Sequence, residues 1–210
     1  LVKSFGRQKK NEMNIVDLSN NIPYKMDFII FDACLMSSIE ALFELKDRAD
    51  IIIASPTDIL TYGFPYDEII PLLSKKEISY MDIGKKYMEF YHNKSGVLQS
   101  ASISVINLKE MDNLTKSLRN VIREKNITFK NLNSLTNIQR FDNLDEGVFF
   151  DFGQTYYTLL GEHVYKDIEQ FLNKVIIYKD NTKNFITINI RSNSGLSTFI
   201  PNENKQLILY

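Results

Sequence analysis

Two short, almost continuously apolar runs stand out, KMDFIIFDA at Lys25 to Ala33 and DIIIASP at Asp50 to Pro56. Uninterrupted runs of this length suit strands covered on both faces, as in a parallel sheet. Between them Met36, Ile39, Leu42, Phe43 and Leu45 recur near helical period, while Ser37, Ser38, Glu40 and Glu44 take the other positions. The spacing predicts an amphipathic helix reaching about Arg48, with serine and glutamate suited to its first turn. Strand, helix and strand within about thirty residues make a βαβ unit with a right-handed crossover.

Weaker helical spacing covers Met13 to Ile22. Clear helices are predicted at Tyr66 to Leu73, Tyr80 to His92 and Met111 to Lys125, and Ser100 to Leu108 alternates like a strand. The Asn-rich segment Asn126 to Asn143 reads as irregular, Phe149 to Leu160 and Val164 to Ile177 as helices, and Phe185 to Pro201 as late strands. The expected fold class is α/β, with a mostly parallel central sheet flanked by helices on both faces. No Pro/Gly/Ser-rich linker or internal repeat divides the chain, so residues 1–210 are expected to form one domain.

Composition narrows the partners. With 44% hydrophobic residues, 24% charged and a formal net charge of −1, the 210 residues describe a globular chain without the clustered basic face that nucleic acid binding needs. The one basic cluster, Lys3, Arg7, Lys9 and Lys10, is terminal, and residues 1–11 read as a flexible, solvated arm. No stretch approaches the roughly 18 to 20 apolar residues of a membrane helix, so no membrane partner is expected. A single cysteine excludes an internal disulfide and leaves the compartment open. The chain opens without Met or a signal-type apolar block, and reads as part of a longer gene product.

That cysteine, Cys34, is the chief candidate for chemistry. A lone cysteine is ordinarily an inert small hydrophobe, but Cys34 falls where a buried strand gives way to a helix. There the helix N–H dipoles would favour a thiolate, and the strand's carboxyl end opens onto the edge where ligand sites form. The loop Pro56 to Tyr66, with two prolines and a glycine, leaves the second strand at that same edge. Asp32, two residues before Cys34, shares its face if the strand persists, which sets a carboxylate beside the sulfur. Such an acid opposes the thiolate and is better explained as a pocket acid for a cationic substrate; the plain reading is a helix cap or surface acid. Neither His92, at a helix end, nor His163, at a helix start, looks placed as the base that a cysteine hydrolase requires.

DACLM (Asp32 to Met36) at the end of the FIIF strand, followed by IEALFELKDRADIIIASPTDI and GFPY (Gly63 to Tyr66), closely resembles clostripain-family cysteine peptidases, of the caspase/gingipain/legumain-like group. The resemblance runs from SFG (Ser4 to Gly6) and EMNIVDL through the βαβ unit, with weaker echoes in FFDFGQ and GLSTFIP. It implies a caspase-like fold and an endopeptidase cutting after Arg or Lys, with Cys34 as nucleophile and Asp32 in an acidic S1 pocket. The Cys34 N–H would be one oxyanion donor. The family's second donor and catalytic histidine come from a His-Gly motif absent here, so the resemblance implies an upstream segment or chain carrying that histidine as a partner. It also implies maturation by self-cleavage after a basic residue in the interval that holds Lys3, Arg7, Lys9 and Lys10, and a secreted or envelope-associated bacterial location. No cofactor is needed for the acyl transfer, and calcium is raised by resemblance only.

Two departures bear on the pocket. Ser37 stands where glycine often follows DACLM, and Tyr62 where some relatives place an acid, so pocket acidity rests on Asp32 with Asp58 as a second substrate-binding candidate. Thr57 and Asp58 are equally readable as turn-stabilising residues. Tyr62, Phe64 and Tyr66 read as packing in preference to a pocket wall. An inactive peptidase-like binding module is the alternative function. A small-molecule binder ranks lower, because no Gly-rich loop follows the FIIF strand and Asp32 would repel phosphate.

Overall fold

Both apolar runs are strands; the second is buried on both faces, which is why it does not alternate, whereas the first is exposed at Met26 and Asp27 and half-buried from Phe28 to Ile30. The computed structural model describes residues 4–8, 11–133, 135–143 and 148–200. In chain order these form β1 (Ser4–Gln8), β2 (Asn11–Asn14), α1 (Ile15–Asn21), β3 (Met26–Ile30), α2 (Ile39–Leu45), β4 (Ala49–Ala54), α3 (Tyr66–Leu73) and α4 (Tyr80–His92). There follow β5 (Ser102–Asn107), α5 (Met111–Glu124), α6 (Phe129–Asn133), β6 (Phe149–Asp151), α7 (Phe152–Leu160), α8 (Glu162–Val175), β7 (Ile176–Asn181), β8 (Asn184–Phe185), β9 (Ile188–Asn189) and β10 (Ser197–Phe199).

The central sheet has the order β3-β4-β5-β7. Strand β3 pairs parallel with β4, Ile30 opposite Ile53, whereas β5 pairs antiparallel with both β4 and β7. Three strands therefore run one way and β5 runs against them: the mostly parallel expectation holds for strand direction, but by pairing the sheet is mixed. Alternate β4 residues serve opposite cores. Ile52 and Ala54 join α2, α5 and α8 through Leu42, Leu45, Leu114 and Leu172, while Ile51 and Ile53 join α3 and α4 through Ile69, Ile83, Tyr87 and Tyr91.

Several local expectations are corrected. Helix α2 begins at Ile39, five residues past Cys34, with the Ser38 hydroxyl accepting the Ala41 N–H at 3.4 Å. Helix α1 likewise starts late, at Ile15, because the Asn14 side chain caps it by accepting the Asp17 N–H. The helix expected to end near Ile177 gives way at Ile176 to β7, whose alternating half-burial abuts the helix with no glycine or proline to mark the change. The aromatic run at Phe149 opens as β6 before α7, and the Asn-rich stretch holds the short α6. Within the segment read as an arm, Ser4–Gln8 is a strand paired with Asn11–Asn14; Lys3, Lys9 and Lys10 lie outside the described residues.

Leu42 is fully buried between α2 and the sheet. Leu42→Ala is expected to cost about 2 to 5 kcal/mol in urea unfolding, whereas Val97→Ala, at a side chain 67% exposed, should stay within about 0.5 kcal/mol.

Candidate active site

After β3 the chain does not run straight into a helix but makes a tight turn through residues 33–37. Leu35 takes φ +59°, a left-handed conformation that a branched side chain rarely adopts. Backbone bonds from both sides hold it there. The Leu35 N–H donates to Thr57 O at 2.9 Å and the Ser37 N–H to Ser55 O at 3.1 Å, tying the turn to the chain leaving β4. On the other side the Ser37 hydroxyl donates to Gly195 O at 2.6 Å, and the Ser197 N–H donates to Ser37 O at 3.0 Å. The residue standing where glycine often follows DACLM is thus a clamp and not a helix start.

The loop after β4 is itself rigid. The hydroxyls of Ser55, Thr57 and Ser102 lie within 2.8–3.1 Å of one another, all fully buried, and the Thr57 hydroxyl also donates to Asp58 O. Thr57 is therefore a turn-stabilising residue, and it fixes Asp58 and Ile59 beneath the sulfur. The clamp at Gly195 is set in turn by the buried Asp151. Its carboxylate caps α7 by accepting the Gln154 N–H and accepts the Ser194 N–H at 2.6 Å. The FFDFGQ and GLSTFIP segments, far apart in sequence, meet as the β6/β10 pair.

Cys34 is exposed at the rim of this frame. Its Sγ accepts the Ile59 N–H at 3.4 Å. Desolvation against the loop pushes the thiol above its ordinary value; the Ile59 N–H pulls it back, and the charge of Asp58 and a hydrogen bond to it raise it further. Asp58 is half-buried, and burial raises its own pKa, opposed by its bond with Cys34 and reinforced by Asp142. The carboxylate that meets the sulfur is thus that of Asp58, not Asp32. With helix α2 starting at Ile39, no helix N-terminus offsets this rise.

Asp32 is exposed and turns instead into the loop before α3. Its Oδ2 accepts the Tyr66 hydroxyl at 3.0 Å and the Phe64 N–H at 3.4 Å. The carboxylate lies on Gly63, where a Cβ would collide with both oxygens and where φ is +62°. Burial, together with the bond to Asp32, pushes the Tyr66 hydroxyl up to about 12, so it stays a donor. Beneath, Phe64 packs on Tyr87 with ring centroids 4.5 Å apart, and the Tyr91 hydroxyl donates to Gly63 O at 2.8 Å. Packing describes Phe64 alone, since Tyr62 is 60% exposed and Tyr66 bonds the acid. The packing reading of Tyr66 is thus corrected to a bond with Asp32, which nothing within the GFPY segment alone signals.

Neither histidine meets Cys34. His92 ends α4 with Nε2 3.3 Å from Asp180 Oδ2, and His163 lies in the first turn of α8. Among the described residues no group of three or more His, Cys, Asp or Glu is placed to hold a metal such as calcium. No helix among them is long and apolar enough to cross a membrane.

Residues 4–210 match the family model of the clostripain family. Among solved structures the chain is similar to a clostripain from Bacteroides thetaiotaomicron ATCC 29148 in complex with the peptide inhibitor BTN-VLTK-AOMK. The TM-score is 0.83, with 30% identity, covering 92% of this chain and 88% of that one. It is also similar to an inactive zymogen C11 protease from Parabacteroides distasonis, TM-score 0.82 and 30% identity, covering 91% of this chain and 57% of that one. A third is the secreted C11 cysteine protease iotapain of B. thetaiotaomicron, TM-score 0.81 and 28% identity, covering 94% and 59%. No curated protein matches the chain.

The electrostatics at Cys34 are testable on this chain alone. The rate of alkylation by iodoacetamide should rise with pH to a midpoint above the ordinary thiol range, because only the thiolate reacts. Asp58→Asn removes a like charge and should move that midpoint down; a midpoint that stays in place would remove Asp58 from the sulfur's surroundings.

Proposed function

The chain belongs to the clostripain family of cysteine peptidases, and from that premise we propose that it is an endopeptidase hydrolysing peptide and protein substrates after Arg or Lys. The observation that carries this reading is one exposed cysteine two residues after an exposed carboxylate, Asp32, that Tyr66 and Phe64 hold in place. An accessible carboxylate recognises a cation by charge-assisted hydrogen bonding. The related clostripain was crystallised with a peptide inhibitor whose VLTK segment ends in lysine.

In the proposed reaction the Cys34 thiolate attacks the carbonyl carbon of the basic P1 residue, and the resulting oxyanion is held by the Cys34 N–H together with a second donor from the upstream segment. An imidazolium donates its proton to the departing amine as the C–N bond breaks, leaving a thioester that water hydrolyses to regenerate the thiol. The histidine is proposed to come from an upstream segment or chain, since His92 is engaged with Asp180. Among the described residues β3 has one sheet neighbour, β4, and a cleft of 360 Å3 lies along it, lined by Leu18, Ile22, Ile29, Phe31 and Asp32. A segment pairing on that side would bring its residues to the Cys34 end of the sheet. Such a partner also supplies the cation that the raised Cys34 thiol needs. Maturation by cleavage after Lys3, Arg7, Lys9 or Lys10, and a secreted location like that of iotapain, belong to the same proposal. So do a single peptidase domain over residues 1–210 and a substrate-binding role for Asp58 beside the sulfur.

Peptides with Arg, Lys, Asp or Leu at P1, offered to the full-length gene product, test this directly. Cleavage is expected after Arg and Lys only, lost to background in Cys34→Ala and lowered about 100-fold or more in Asp32→Asn. No cleavage of any peptide, with the histidine-bearing segment present, would leave an inactive binding module; undiminished turnover by Cys34→Ala would remove it as nucleophile.

A further inference from the structure

The two oxygens of Asp32 are not equivalent. Oδ2 already receives the Tyr66 hydroxyl at 3.0 Å and the Phe64 N–H at 3.4 Å. Among the described residues no donor reaches Oδ1. The face lying on Gly63 is closed, since a Cβ there would strike both oxygens. Two nearby carbonyls each carry one donor already, Gly63 O from the Tyr91 hydroxyl and Phe64 O from the Tyr66 N–H. Tyr66 and Tyr91 feel a single carboxylate, that of Asp32, and the neighbouring loop position where an acid would strengthen the pocket is Tyr62, exposed to solvent.

A guanidinium is a rigid planar fork whose strongest recognition is bidentate, two parallel N–H bonds to two free carboxylate oxygens; an ammonium is a compact charge with three rotatable donors that needs no matched pair. With Oδ2 committed, an arginine at P1 keeps one of its two charge-assisted bonds. A lysine loses nothing: its ammonium takes Oδ1 and a lone pair of the Tyr66 oxygen, whose proton is turned towards Oδ2. We propose that Tyr66, by occupying one oxygen of Asp32, makes the P1 pocket select lysine over arginine. The inference rests on the basic-P1 reading above and assigns Tyr66 as a positioning residue acting through Asp32.

The experiment compares kcat/KM for two fluorogenic peptides identical except for Lys or Arg at P1, using the active full-length protein. The expected ratio favours Lys by about tenfold, the worth of one charge-assisted bond in a specific pocket. Tyr66→Phe frees Oδ2 and should bring the ratio close to one, through a smaller loss, or a gain, on the Arg peptide. A purely structural role for Tyr66 would lower both rates together and leave the ratio where it was, which would overturn the assignment. A wild-type ratio at or below one overturns it without any variant, so the inference stays decidable if Tyr66→Phe misfolds. Cleavage after neither Lys nor Arg strikes the basic-P1 reading itself, whereas cleavage after both with Arg ahead strikes only the lysine selection.

Discussion

The site depends on a five-residue turn held in a conformation it would not keep alone. Leu35 in the left-handed region costs about 1 to 3 kcal/mol, and it persists because Leu35 and Ser37 are fastened to Thr57 and Ser55 on one side and to Gly195 and Ser197 on the other. Those anchors are themselves immobilised. One sits in a buried hydroxyl cluster with Ser102 of β5, and the other is a carbonyl that accepts both Ser37 and Ser104. The central strands thus act as a jig, with β3 delivering the turn and β4 and β5 carrying the groups that hold it. What the turn achieves is exposure of a sulfur at the edge of an otherwise close-packed sheet.

Four acids near this frame divide into two kinds. Asp151 and Asp142 are buried and saturated, the first by the Gln154 and Ser194 N–H groups, the second by Arg140 and the N–H groups of Val148 and Phe149. They are structural, because a buried carboxylate is tolerable only when its lone pairs are filled. Asp32 and Asp58 are open to solvent in part and incompletely bonded, the condition under which a carboxylate can receive a ligand or bias a neighbour. Asp58 biases the thiol towards its protonated form, and Asp32 accepts Tyr66 and Phe64 on one oxygen only. The acid bonded by Tyr66 is therefore not the acid that opposes the thiolate.

Much of this was legible in the chain. The isoleucine runs marked β3 and β4 because apolar side chains of each pack on both sides of the sheet, and the period of Met36 to Leu45 marked α2 because one face of it is buried. Less legible were elements whose signal is shared with a neighbour. Strand β7 follows α8 with no breaking residue, and β6 is three residues of an aromatic run that equally suits the helix after it. The reading of Asp32 beside the sulfur assumed that strand geometry continues through Cys34; the left-handed Leu35 belongs to a tight turn that precedes the helix, and Asp58 takes the place beside the sulfur.

Local sequence determined which segments could be strands and helices, that one cysteine stood at a strand end, and that a loop bearing an acid and several aromatics left the neighbouring strand, because these follow from periodicity and from residue chemistry over a few positions. Tertiary structure alone decided which acid faces the sulfur, that Ser37 and Gly195 meet across 158 residues, and that Tyr66 bonds Asp32. These are distances between chain segments brought together by burial of the two cores, and a pattern within one segment carries no information about the atoms of another.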